Sequence, residues 1–253
     1  MRLAFGTLTV LPSGIPSRVD RVVGGRAMTL APLVGLVIGG VAAGVIALAQ
    51  LVKPEADLLA AVLGVLVIAA LSGGLHLDGL ADFADALGSR RDRETMLRIM
   101  KQSDIGPFGV VAIVGVLLLD VAALTACIQS GYGWQASLIA TTASRLTLPW
   151  SCRTSVPAAR PDGLGTFVAG TVRPLTATIA TAVVLAAAVA AALTWPSPSR
   201  LAGSAAAVLL AVATSLATTR RARTALGGTT GDVLGATIEL ALPAALLSLA
   251  LTP

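Results

Sequence analysis

Ala31-Pro-Leu-Val-Gly35-Leu-Val-Ile-Gly39-Gly40-Val-Ala-Ala-Gly44-Val-Ile-Ala-Leu-Ala-Gln50-Leu-Val52 runs for 22 residues without a charge. A helix needs about 20 apolar residues to cross the hydrocarbon layer of a bilayer, so this stretch reads as a complete crossing. It is not alone. Similar runs cover roughly 58–77, 107–128, 134–150, 174–195, 201–218 and 233–251, which makes seven expected spans in 253 residues. The fourth is the shortest and carries Arg145. The whole chain is 55% hydrophobic and only 12% charged, with a mean hydropathy of +0.87. A soluble domain carries about twice that share of charge. The expectation is an all-α polytopic transmembrane bundle, one integral membrane domain over residues 1–253. Residues 3–12 are apolar but too short to cross. With no small-residue cleavage site after them, they read as an interfacial or re-entrant piece rather than a signal peptide.

Charge then orients the bundle. Arg2, Arg18, Arg21 and Arg26 precede the first span, and Arg90, Arg91, Arg93, Arg98 and Lys101 lie between the second and third. Arg153, Arg160 and Arg173 lie between the fourth and fifth, and Arg220, Arg221 and Arg223 between the sixth and seventh. That is 15 of the 18 basic residues on one side, with only Lys53 and Arg200 opposite and Arg145 inside a span. The positive-inside rule puts the N-terminus and the three long loops in the cytoplasm. The pI of about 10.2 is therefore a mark of topology, and nothing in the chain suggests nucleic-acid binding. Cys127 and Cys152 fall near opposite ends of their spans, which argues against a disulfide. The Gly35–Gly39 and Gly40–Gly44 spacings suit close helix contacts.

Informative polar residues gather on the cytoplasmic side. Gly73-Gly-Leu-His76-Leu-Asp78-Gly-Leu-Ala-Asp82-Phe-Ala-Asp85 places three carboxylates at i, i+4 and i+7, one stripe of a helix. Mutually repelling acids on one stripe suit a shared cation such as Mg²⁺, held by a few carboxylates and substrate phosphates; the plain alternative is a solvated acidic face. The arginines that follow suit phosphate oxygens, although topology and anionic headgroups would also account for them. A second cluster, Gly227-Gly-Thr-Thr230-Gly-Asp232-Val-Leu-Gly235-Ala-Thr-Ile-Glu239, opens the last span with exposed backbone amides. Asp232 fits a helix N-cap there. Glu239 lies on the same face, about a third of the way into the membrane, where a carboxylate faces a partner or a polar cavity. An ion pair with Arg145 and a catalytic role are the two readings. His76, the only histidine, is either a site residue or an interfacial cap; an unbroken helix would turn it away from the stripe. Asp120, nearer the outer leaflet, has no evident partner.

These residues resemble the cobalamin synthases, the adenosylcobinamide-GDP ribazoletransferases. The resemblance rests on the Gly73–Asp85 stretch, on Met100-Lys101-x-Ser103-x-Ile105-Gly106-x-Phe108-Gly109, and on Gly227-Gly228-x-Thr230-Gly231-Asp232-x-Leu234-Gly235-Ala236. Leu11-Pro12 and Ala159-Arg160-Pro161-x-Gly163-Leu164-Gly165 match weaker blocks, so it follows the family's order over nearly the whole chain. Two departures stand out. Gln102 replaces the family's acid after the lysine, with Asp104 two residues on, and Phe83-Ala-Asp-Ala86 replaces Thr-Ala-Asp-Gly.

The resemblance implies a Mg²⁺-dependent phosphotransferase of the bacterial inner membrane. It would join the cobinamide phosphate of adenosylcobinamide-GDP to α-ribazole or its 5′-phosphate and release GMP. Asp78, Asp82 and Asp85 would hold the metal. Arg90, Arg98 and Lys101 are candidates for the phosphates, with Ser103, Asp104, Gly106, Thr230 and Asp232 for substrate binding. Asp82 or Glu239 could take the hydroxyl proton, with His76 a further candidate base. Implied partners are the corrinoid nucleotide, ribazole and membrane lipid, with a homo-oligomer or other cobalamin-assembly enzymes left open. The same local chemistry serves CDP-alcohol phosphotransferases. Transport is a weaker alternative, because the polar residues do not run across the membrane and no repeated halves are evident.

Overall fold

The computed structural model describes residues 1–14, 20–194 and 197–252. Thirteen helices follow one another among the described residues: α1 (Arg2–Leu8), α2 (Arg21–Thr29), α3 (Ala31–Val52), α4 (Asp57–Leu71), α5 (Leu75–Gly88), α6 (Arg93–Ile99), α7 (Pro107–Gln129), α8 (Gly133–Arg145), α9 (Thr147–Ser151), α10 (Leu164–Val168), α11 (Pro174–Ala192), α12 (Pro198–Leu226) and α13 (Gly231–Ala250). No strand occurs among these residues, only two isolated bridges, Arg153 with Val172 and Ala158 with Thr229. Their starts are written in the sequence. Proline opens α3, α7, α11 and α12, where its missing N–H costs nothing. Asp20, Asp92, Ser197 and Thr230 cap α2, α6, α12 and α13 with side-chain oxygens.

Among the described residues, five helices are long and apolar enough to cross a membrane: α3, α7, α11, α12 and α13. Two of the seven expected spans take a different form. The run 58–77 stops at Leu71, and α5 leaves α4 at 86° across a three-residue break, so only as one bent pair do they make a sixth crossing. The run 134–150 is split into the 13-residue α8 and the 5-residue α9. Its residues are nearly all buried, Gln135, Ser137, Thr141, Ser144 and Arg145 among them, because α8 is wrapped by α3, α7, α12 and α13. A helix sheathed in protein instead of lipid tolerates such polarity.

Every residue from Val233 to Glu239 is buried, so the first half of α13 is enclosed on its whole circumference and lies at the centre of the bundle, while Leu240 further along is exposed. The periphery is the reverse of a soluble surface: Leu36, Val111, Leu118, Val183 and Leu209 stand exposed on α3, α7, α11 and α12. Gly35 and Gly39 of α3 lie directly on the α8 backbone and on Thr141, while Gly44 faces open space and Gly40 barely touches Leu138, so one of the two expected glycine pairs is a helix contact. Cys127 and Cys152 are free and buried.

The segments expected on one side do meet. Arg93 donates to the carbonyls of Leu226 and Ala159, Arg21 to those of Thr166 and Ala169, and Lys101 pairs with Asp162. At the other end, Arg200 donates to the Ser130 carbonyl and stacks over Tyr132.

Candidate functional site

The site is built around α5. Gly73 and Gly74 both adopt the left-handed conformation, φ 64° and 70°, which lets the chain turn sharply between α4 and α5. With three aspartates and a histidine in fourteen residues, α5 is too short and too polar to cross a membrane by itself. It crosses α13 at close range through a reciprocal pair of glycines. A Cβ on Gly79 would lie 2.7 Å from the Asp232 carbonyl oxygen, and one on Gly235 would lie 3.0 Å from the His76 Cα. That contact brings Asp78 and Asp82 beside Asp232 at the start of α13.

Four carboxylates therefore gather, with Asp78, Asp85 and Asp232 close enough to act on the charge of Asp82. Burial, then the charges of Asp78, Asp232 and Asp85, push the Asp82 carboxyl up to about 7 against the opposing pull of Arg160. The four do not play one part. The Asp85 oxygens accept hydrogen bonds from the amides of Gly106, 2.7 Å, and Gly109, 2.9 Å, at the start of α7. A side chain on Gly106 would collide with that carboxylate. Asp85 thus ties α5 to α7, and Asp78 and Asp82 accept no hydrogen bond among the described residues. Nor does Asp232 cap α13: Thr230 does, accepting from the Val233 amide at 3.2 Å and donating to Asp232 at the same distance. The expected N-cap reading of Asp232 is corrected by two positions, to Thr230, and its carboxylate is turned towards Arg160 instead, 3.4 Å away.

Arg160 is the residue that sequence reading passed over. It stands in a block quoted only as a weak match, yet it links Asp232 to Asp162 (3.5 Å), and Asp162 in turn holds Lys101 at 2.7 Å. Those hydrogen bonds and charges hold the exposed Asp162 carboxyl below its ordinary range. The 152–163 segment is fixed there by main-chain bonds. The Ala159 amide donates to the Thr229 carbonyl and the Thr229 amide to that of Pro157, each at 2.9 Å. Gly228 has no room for a Cβ, which would meet the Pro157 carbonyl oxygen.

The other expected residues divide. Lys101, Gly106, Thr230 and Asp232 are in the site or its frame. Arg90 lies just past α5, exposed, with a φ of 52°, and among the described residues Arg98 reaches only Thr95. Ser103 and Asp104 are exposed and make no hydrogen bond among the described residues. His76 and Glu239 form a separate group. The break at Gly73–Gly74 precedes both His76 and the stripe, so it leaves their relative directions on α5 unchanged. His76 points into the bundle, its Nδ1 3.7 Å from Glu239. Arg145, wholly buried, shares an electrostatic environment with Glu239 and Asp120 but forms no ion pair within 4 Å among the described residues. Its Nη1 donates to Ser144, while Nε, Nη2, both Asp120 oxygens and both His76 nitrogens have no hydrogen-bond partner among the described residues. Asp120, without evident partner in the sequence, belongs to this interior cluster.

No three acidic, histidine or cysteine side chains among the described residues converge closely enough to chelate an ion by themselves. The donor set nevertheless fits a hard cation shared with phosphate oxygens: Asp78 and Asp82 are unengaged, Asp232 is adjacent, and one arginine does not balance four acids.

An α-helical membrane protein with acids and arginines massed on one polar face defines a class: an integral membrane protein built to handle a phosphate-bearing polar substrate. The chain belongs to the cobalamin-5-phosphate synthase family, which matches residues 1–250. It is 42% identical to the adenosylcobinamide-GDP ribazoletransferase of Frankia casuarinae, over 99% of this chain and 94% of the relative. It is 39% identical to the protein of that name from a Nocardioides species and 38% to that of Pseudomonas aeruginosa, in each case over 98% of this chain and 96% of the relative. No solved structure matches it.

Proposed function

We propose that this chain is an adenosylcobinamide-GDP ribazoletransferase that works with Mg²⁺ at the cytoplasmic face of the bacterial inner membrane. The observation that carries the reading is the meeting of Asp78, Asp82 and Asp232 with Arg160, on two helices and a loop far apart in sequence. A displacement at a diphosphate needs charge neutralisation and positioning more than covalent chemistry. Asp78, Asp82 and Asp232 are the groups that would hold Mg²⁺, with Asp85 bracing α5 beneath them. When bound, the ion would neutralise the diphosphate oxygens and polarise the phosphorus.

The residues themselves account for the rest. The ribazole hydroxyl oxygen bonds to the phosphorus on the cobinamide arm, the bond from that phosphorus to the oxygen of GMP breaks, and GMP leaves. Asp82, where it is not itself holding the ion, is the carboxylate we assign to accept the hydroxyl proton. Glu239, turned to His76 inside the bundle, is the less direct candidate. Arg160 and Lys101 are positioned for phosphate oxygens, at present occupied by Asp162 and Asp232.

The test uses purified protein in detergent with adenosylcobinamide-GDP, ribazole and Mg²⁺, following GMP release and the corrinoid spectrum. Turnover that disappears with EDTA and returns with Mg²⁺ is expected. Absence of GMP with both substrates present would overturn the reading, and EDTA-resistant turnover would overturn the metal.

A further inference from the structure

Beside the acids, the polar face holds a cleft of about 680 Å³ floored by residues 154–161 and rimmed by Arg21, Arg93 and Arg160. Its arginines are fixed unusually. Arg21 donates to the carbonyls of Thr166 and Ala169, the latter at 2.6 Å, and Arg93 to those of Leu226 at 2.7 Å and Ala159 at 2.6 Å. Neither has a carboxylate within 4 Å among the described residues. Carbonyls hold the planes of these guanidiniums but do not cancel their charge. Among the described residues no hydrogen bond engages Nε of Arg21 or Nη1 of Arg93, and the Nη1 of Arg160 is buried with no hydrogen-bond partner. Arg220 and Arg223 line an adjoining cleft that shares Pro157, so the positive field continues without an acid to balance it.

Preorganised guanidinium forks in a cleft of nucleotide size are suited to a phosphate monoester. Topology alone would account for arginines on this face, but not for their being clamped around a cavity whose Arg160 wall pairs with Asp232. In the proposed reaction both donor phosphates belong at the acids. A separate cationic cleft answers to a third phosphate. Resting on that functional reading, we propose that this cleft seats the 5′-phosphate of the acceptor nucleotide, making Arg21 and Arg93 the residues that favour ribazole 5′-phosphate over ribazole.

The test compares kcat/KM for the two acceptors in wild type and in Arg21→Gln and Arg93→Gln, which keep one N–H for a carbonyl while removing the charge. The ratio of phosphorylated to unphosphorylated acceptor should fall about tenfold or more in each, as loss of one charge-assisted contact implies. Arg21→Lys, which retains charge without the fork, should recover part of it. A variant that loses both acceptors in equal proportion would make the arginines structural clasps and overturn the proposal. A changed inhibition by GMP with an unchanged acceptor ratio would give the cleft to the donor and also overturn it. Nanodiscs of phosphatidylcholine, with and without phosphatidylglycerol, separate the lipid source. The wild-type ratio should be the same in both, and its collapse with the anionic lipid would assign the cleft to a headgroup. A wild type that releases no GMP with either acceptor would overturn the transferase reading itself.

Discussion

Asp78 and Asp85 look equivalent in the sequence, two members of one helical stripe, but their surroundings give them different work. Asp85 spends its oxygens on the Gly106 and Gly109 amides, so Asp85→Asn should both impair turnover and lower the melting temperature. The asparagine amide can accept one of those bonds but turns an N–H₂ group on the other. Hydrogen bonds to charged groups are worth about 1.5–3 kcal/mol, which sets the scale. Asp78→Asn, Asp82→Asn and Asp232→Asn should abolish or nearly abolish GMP release while the thermal unfolding of the protein in detergent stays near wild type. A normal melt for Asp85→Asn would remove its bracing role, and near-normal turnover in the other three would return the stripe to a solvated face. The stripe itself was legible because helical spacing is local. Arg160 was not, since its meaning comes from Asp232, 72 residues away.

The interior cluster carries a second contrast between single residues. Arg145→Met leaves Glu239 and Asp120 buried near each other without a neighbouring cation and should lower the melting temperature. Combining it with Glu239→Gln should recover much of that stability, because removing both charges is close to neutral where removing one is not. Thermal unfolding of the singles and the double mutant measures the coupling. Strict additivity would mean that Arg145 and Glu239 do not sense one another. If the double mutant regains its fold but not its turnover, Glu239 has a chemical part in addition.

Among the helices, hydropathy found the apolar ones and misjudged the two that are not uniform. The run through 58–77 is continuous in composition, and only the paired left-handed glycines at 73 and 74 reveal that the chain turns there. For α8 the difficulty is of another kind. A window of composition cannot register that the neighbours of a helix are protein and not lipid, and that is what permits Arg145 in the middle of the bundle. The packing of α3 on α8 makes this testable. Gly39→Val would drive a branched side chain into Thr141 and should destabilise by at least the 1–3 kcal/mol usual for overpacking, whereas Gly44→Val, facing open space, should be close to neutral. Equal melts for the two variants would show that α3 and α8 are not in that contact.

For the whole molecule, the division of basic residues in the sequence and the contacts in the structure are independent arguments for one topology. Counting charges groups the N-terminal segment with the loops around 90–106, 152–173 and 220–230. The fold joins members of those same segments by hydrogen bonds, Arg21 to 166 and 169, Arg93 to 159 and 226, Lys101 to 162. Segments on opposite sides of a bilayer could not touch, so these four stretches share a face whatever the number of membrane-length helices. We propose that this face meets the cytoplasm, because the sequence reading assigns 15 of the 18 basic residues to that side and short loops rich in arginine stay cytoplasmic. Reporter fusions after residues 90, 160 and 222 should therefore read as cytoplasmic, and fusions after 54, 131 and 198 as external. The fusion at 131 is the most exacting, because it requires α7 and the buried, polar α8–α9 pair both to carry the chain across. A cytoplasmic signal at 131 would leave α8 as a re-entrant helix that returns to the face it came from. The site would then be closed by α8 from below, and the antiparallel contact of Gly35 and Gly39 with Thr141 would have to be rebuilt.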